Sequence, residues 1–228
     1  KKLHNKSIPK KHLHKKSKSK IVGSKRIINY IPDSLDYQIS KEYLTPVTES
    51  ITEEILIDIK ETSELAEEIS VFAGESAGGN LALVTLLRAK KLGLKLPKAI
   101  VLLSPWCNLL NEGDSLLFNE GRDPTLSIQQ SKMASAHYAA GQDLCNPEIS
   151  PLFGSFYGIP AKVLISSGTR DLLLSQSVQL ASLLREFGVD VDLRIRDGLW
   201  HVYEWEAELP EAIASIEHAA EFIQNSIS

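Results

Sequence analysis

From residue 69 onward the sequence alternates short apolar runs with stretches of helical periodicity, and that alternation leaves few folds open. Residues 69–74 (ISVFAG) form a short apolar run that reads as a buried strand. Residues 78–92 (GGNLALVTLLRAKKL) follow as a helix with few breakers. Residues 99–104 (AIVLLS) and 161–167 (AKVLISS) read as two further buried strands. The second of these leads into an amphipathic helix over 173–187. Residues 189–196 (VDVDLRIR) alternate apolar with polar, which predicts a fourth, half-exposed strand. A last helix is predicted over 209–227. Strands that alternate with helices predict an α/β fold: a mostly parallel sheet with helices on both faces. One long polar and aromatic excursion, 106–160, interrupts the pattern, with a helix near 127–140. It is expected to supply a lid or pocket wall.

The chain upstream differs in kind. Of the 25 Lys and Arg in the 228 residues, eleven lie in residues 1–26, which hold no Asp or Glu. The other 14 stand against all 29 acidic groups, so a basic arm precedes an acidic body. So dense a block of one sign repels itself and buries little, which predicts a disordered arm. No aromatic residue is interleaved there to stack bases, so nucleic acid is not the expected partner. In residues 27–68, Ile27, Ile28 and Ile31 suit a short strand. Ile51, Ile55, Ile59 and Leu65 lie near helical spacing. No run of about 18 apolar residues predicts a membrane span, and the basic start lacks the apolar stretch of a secretory signal. Two cysteines, Cys107 and Cys145, make no disulfide framework and suit a reducing compartment. The expectation is a soluble, cytoplasmic protein.

The chemistry concentrates where the first clear strand meets its helix. Gly74-Glu75-Ser76-Ala77-Gly78 is a G-x-S-x-G at a strand-to-helix turn. Such an elbow needs small residues two before and two after the serine, and Gly74 and Gly78 supply them. The turn lifts the Ser76 hydroxyl above the sheet and points the Ala77 N–H at a developing oxyanion. A serine hydroxyl needs a base held by a third group. Of the six histidines, His4, His12 and His14 lie in the arm, and His218 falls in the last helix. His137 lies in the excursion, as a structural residue or at a pocket rim. His201 follows the fourth strand, at a strand's carboxyl end. Asp171 sits just after the third strand, 95 residues beyond Ser76 and 30 before His201. It suits the acid that orients an imidazole, and it equally suits the N-cap of the helix that follows. Asp192 and Asp197 are its rivals.

These blocks together resemble a known family. Gly74-Glu75-Ser76-Ala77-Gly78-Gly79-Asn80, Leu103-Ser104-Pro105-Trp106, Ile149-Ser150-Pro151-Leu152-Phe153-Gly154, Gly168-Thr169-Arg170-Asp171-Leu172-Leu173 and Asp197-Gly198-Leu199-Trp200-His201 are similar to the hormone-sensitive-lipase-like branch of the α/β-hydrolases. The likeness runs over about 69–225. It implies an α/β-hydrolase fold with Ser76 as nucleophile, Asp171 as acid and His201 as base. It also implies short-to-medium acyl esters or lactones as substrates, and neither cofactor nor metal. Within the excursion, Trp106, Phe118 and Tyr138 are the expected apolar lining of the substrate pocket. Asn108 stands where the family usually carries Asp. The family's His-Gly-Gly-Gly segment, whose N–H groups complete the oxyanion hole, has no counterpart: the only glycine before Gly74 is Gly23. The chain therefore reads as an α/β-hydrolase without its N-terminal strands. The reading includes a truncated gene product or an impaired enzyme that binds small molecules without turnover. The 69–74 strand would then present an apolar edge that invites a second copy of the chain.

Overall fold

The computed structural model describes residues 71–228, together with two short strands, Ile21–Val22 (β1) and Lys25–Arg26 (β2), paired antiparallel. The rest of the predicted arm and the strand and helix expected within 27–68 lie outside the described residues.

Four parallel strands carry the body: Val71–Glu75 (β3), Ala99–Leu103 (β4), Lys162–Gly168 (β5) and Val191–Arg196 (β6), hydrogen-bonded in that order. Their register sets Gly74 opposite Leu102, Leu102 opposite Ile165, and Ile165 opposite Leu193. The period of two sorts the side chains onto two faces. Phe72, Ile100, Leu102, Val163 and Ile165 point to one face. There they meet helix α1 (Ser76–Lys91) through Leu83, Leu86 and Ala89, and helix α4 (Leu174–Glu186) through Leu180, Ala181 and Leu184. Val101 and Leu164 point to the other face and meet Ala219, Phe222 and Ile223 of helix α5 (Pro210–Ile227). Helices thus cover both faces, as the alternation predicts. Strand β6 is half-buried along its length: Val191 and Leu193 join the first core, while Asp192 pairs with His218 of α5 and with Arg194.

The excursion between β4 and β5 holds helix α2 (Asp114–Phe118), helix α3 (Ile128–Ala139) and a 3-10 turn, Pro151–Phe153. The predicted ends of α3 mark its caps. Ser127 accepts the Gln130 N–H over 3.2 Å, and Ala140 closes the helix at φ 48°.

Strand β3 lies at one end of the four-strand order. Whether residues upstream pair with it falls outside the described residues. Among the described residues no helix is long and apolar enough to cross a membrane.

Candidate active site

The carboxyl ends of the four parallel strands open onto one rim. Strand β3 runs into Ser76, β4 into Ser104-Pro105-Trp106, β5 into Asp171 and β6 into His201.

The turn at Ser76 is tight. Glu75 is still extended (φ −113°, ψ 144°), whereas Ser76 takes φ 48°, a left-handed conformation that costs a non-glycine residue about 1–2 kcal/mol. The chain then enters α1 at once. A Cβ on Gly74 would stand 2.2 Å from the Gly78 carbonyl oxygen and 2.7 Å from the Gly79 nitrogen, so glycine is obligatory there. The Trp106 N–H donates to the Ser76 carbonyl over 3.0 Å and ties the elbow to the neighbouring loop. The Ala77 N–H lies in the first turn of α1, at the positive end of the helix dipole.

Ser76, His201 and Asp171 meet. With the imidazole in its Nδ1–H tautomer, the Ser76 hydroxyl donates to His201 Nε2 over 2.9 Å. His201 Nδ1–H in turn donates to Asp171 Oδ1 over 3.1 Å. His201 is 4% exposed and Asp171 0%. Burial alone would push the Asp171 carboxyl up. The facing His201, by charge and hydrogen bond, outweighs burial together with the Ser167 hydroxyl (2.7 Å to Oδ2) and the Leu173 N–H (2.8 Å to Oδ1), and holds the carboxyl below the usual carboxylate range. The Leu173 contact closes the turn ahead of α4, but the N-cap of that helix is Leu173, not Asp171.

The acid and histidine loops touch closely. A Cβ on Gly168 would stand 2.1 Å from the Leu199 carbonyl oxygen, and the Arg170 N–H donates to that same oxygen over 2.8 Å. The rival carboxylates are engaged elsewhere: Asp197 accepts the Thr169 hydroxyl, and Asp192 holds Arg194 and His218. His137 is exposed on α3.

Beside Ala77, Trp106 and Tyr138 belong to one apolar cluster, with ring centroids 6.3 Å apart. Asn80, buried one turn into α1, fixes that wall. Its Nδ2 donates to the carbonyls of Trp106 (2.9 Å) and Ile149 (2.8 Å), and its Oδ1 accepts the Tyr138 hydroxyl (3.1 Å). Burial, opposed by the charge of Arg88, pushes the Tyr138 phenol up to about 12, so it stays a donor. Phe118 corrects the expectation made for it. Helix α2 turns Leu116 inward and leaves Phe118 72% exposed beside Leu117, away from the cluster. Among the described residues no group of three or more His, Cys, Asp or Glu is arranged to hold a metal ion.

Sequence reasoning missed Asn80, Asn119, Asp123 and Ser167. Asn119 donates to the Thr169 and Asp171 carbonyls, and Asp123 accepts from the Leu172 N–H. The available signal was an Asp two residues before Thr125 in a loop, the pattern of an Asx turn, which says nothing of a distant partner.

Comparison with known proteins fits this architecture. The family described as the alpha/beta hydrolase fold matches the chain over residues 34–204. The chain belongs to the α/β-hydrolase family. Within this family it is 31% identical over 154 residues to an esterase of Acinetobacter venetianus, covering 67% of this chain and 50% of that protein. It is 32% identical over 155 residues to an acetyl-hydrolase of Streptomyces hygroscopicus, covering 68% and 52%. The chain spans about half the length of these curated relatives. Among solved α/β-hydrolases, an esterase from the bacterial hormone-sensitive lipase family superposes with a TM-score of 0.74 at 28% identity, over 78% of this chain and 60% of that one. A hormone-sensitive lipase from a metagenome library gives a TM-score of 0.66 at 33% identity, over 68% and 54%.

Proposed function

We propose that this α/β-hydrolase cleaves carboxylic esters, with short-to-medium acyl esters or lactones as substrates, through Ser76, His201 and Asp171. One observation carries the reading: the unbroken hydrogen-bonded relay from the Ser76 hydroxyl through the His201 ring to the buried Asp171 carboxylate. The similarity to proteins named esterase and acetyl-hydrolase supports it.

In the first half-reaction Ser76 Oγ attacks the ester carbonyl carbon while its proton passes to His201 Nε2. The carbonyl oxygen becomes an oxyanion that accepts the Ala77 N–H. The tetrahedral adduct collapses, the C–O bond to the alcohol breaks, and the leaving oxygen takes the proton from His201. In the second half, water attacks the acyl-serine and gives its proton to His201. The carboxylic acid leaves, and the proton returns to Ser76. Asp171 keeps the imidazole in the Nδ1–H tautomer and stabilises its cation in both halves. The apolar residues around Trp106 and Tyr138 supply a wall against which an acyl or alkyl group loses water.

The test is turnover of a short-chain p-nitrophenyl ester before and after Ser76→Ala. Loss of turnover in a protein with an unchanged melting curve is expected. Equal rates overturn the proposal.

A further inference from the structure

We infer that Asp123 is a positioning residue for the proposed triad, holding from the excursion the loop that carries Asp171. The inference rests on the hydrolase reading above.

Asp123 is a carboxylate only 5% exposed, and its partners are backbone N–H groups and a hydroxyl rather than a cation. Oδ1 accepts the Thr125 N–H (2.9 Å), the Thr125 hydroxyl (2.8 Å) and the Leu126 N–H (3.2 Å). Oδ2 reaches across to the Leu172 N–H (2.9 Å), the peptide directly after Asp171. From the same turn, Asn119 Nδ2 donates to the Thr169 carbonyl (3.1 Å) and to the Asp171 carbonyl (2.9 Å). The turn bearing the acid is therefore gripped on both sides of Asp171. The Thr125 hydroxyl gives its one hydrogen to Asp123 over 2.8 Å, which leaves its oxygen 3.4 Å from the His201 carbonyl oxygen as a packing neighbour only.

Only an acceptor on both oxygens fits. All four partners are donors, and an amide at position 123 would turn an N–H₂ toward either Leu172 or the Thr125–Leu126 pair. Either the Leu172 peptide or Asp123's own turn at Thr125–Leu126 would then be pushed off, and both routes loosen the grip on the Asp171 loop. Since the Asp171–His201 contact is already 3.1 Å, a further displacement on the order of 1 Å breaks it.

The experiment uses Asp123→Asn, close to isosteric, in the full chain. With a p-nitrophenyl ester, kcat is expected to fall by about 10–100-fold with KM within about twofold, because substrate contacts are untouched and the relay is not. The low-field proton resonance of the His201 Nδ1–H is expected to shift or vanish. Asn119→Ala removes the two carbonyl contacts without changing charge, and keeps the question answerable if Asp123→Asn fails to fold. It should show the same split. Wild-type kcat with an unmoved resonance in either folded variant overturns the inference, as does a raised KM at constant kcat. Ser76→Ala runs alongside. If it retains turnover, the hydrolase reading itself fails. If it is dead while the Asp123 and Asn119 variants are normal, only the positioning role falls.

Discussion

Replacing Gly74 by alanine adds one methyl group at a point where the elbow has no room for it. The new carbon would stand 2.2 Å from the Gly78 oxygen, 2.4 Å from the Gly78 carbonyl carbon and 2.7 Å from the Gly79 nitrogen. All three are main-chain atoms in the first turn of α1, so no side chain can swing aside. Carbon in contact at about 3.5 Å demands a shift of roughly 1 Å or more between the end of β3 and the start of α1. Overpacking of this kind costs about 1–3 kcal/mol, which lowers Tm by about 2–12 °C in a domain of this size. The displacement falls on Ser76 itself, so kcat should drop on the order of 10²-fold. Gly79→Ala is the comparison: its Cβ would meet Pro105 Cβ at 3.0 Å and Cα at 3.1 Å, a clash that a few tenths of an ångström relieve. Thermal melts and p-nitrophenyl ester kinetics on both variants measure the two effects. A Gly74→Ala protein with unaltered Tm and kcat would refute the steric account of the elbow.

Asp171→Asn should lower kcat by about 10⁴-fold, because the amide favours the wrong imidazole tautomer. It should also change the acid limb of stability. The folded-state pKa of Asp171 lies below the ordinary carboxylate value of about 3.9, so its contribution is present above that pH and is lost as pH falls through the folded value. The stability gap between wild type and variant, from urea midpoints at pH 5 and pH 2, should therefore narrow in acid, and a gap that widens over that window contradicts this. Burial pushes the Cys107 thiol up to about 12, whereas Cys145 is exposed. A thiol reagent at neutral pH should modify Cys145 at once and Cys107 only after denaturant is added, as mass spectrometry of the labelled peptides would show; early labelling of Cys107 counts against the burial.

The sheet was legible because each strand is a short apolar run that ends where a loop or helix begins. The register follows from a period that allows only two faces, so Ile100 and Val101 had to part company. Ser76, Asp171 and His201 were legible for a related reason: each stands at the carboxyl end of a recognisable strand. The ends of elements moved by one or two residues, since Ser127 and Ala140 are caps rather than helix. Phe118 was misread because α2 is barely more than one turn long. No periodicity can say whether Leu116 or Phe118 faces inward over so short a stretch; Leu172 and the first turn of α4 at Ser175 decide it through Ser115. Asn119 and Asp123 were illegible because polar residues in a loop read as local turn formers. Their partners at Thr169, Asp171 and Leu172 lie about fifty residues away, and only the assembled fold brings them near.

Trp106 makes two contacts at once. Its main-chain N–H anchors the carbonyl of Ser76, and its indole forms part of the apolar surface next to Ala77. Anything wedged against that ring pushes on a residue tied to the main chain of Ser76. Oversized guests should then be penalised in the speed of the bond-making step more than in how tightly they are held.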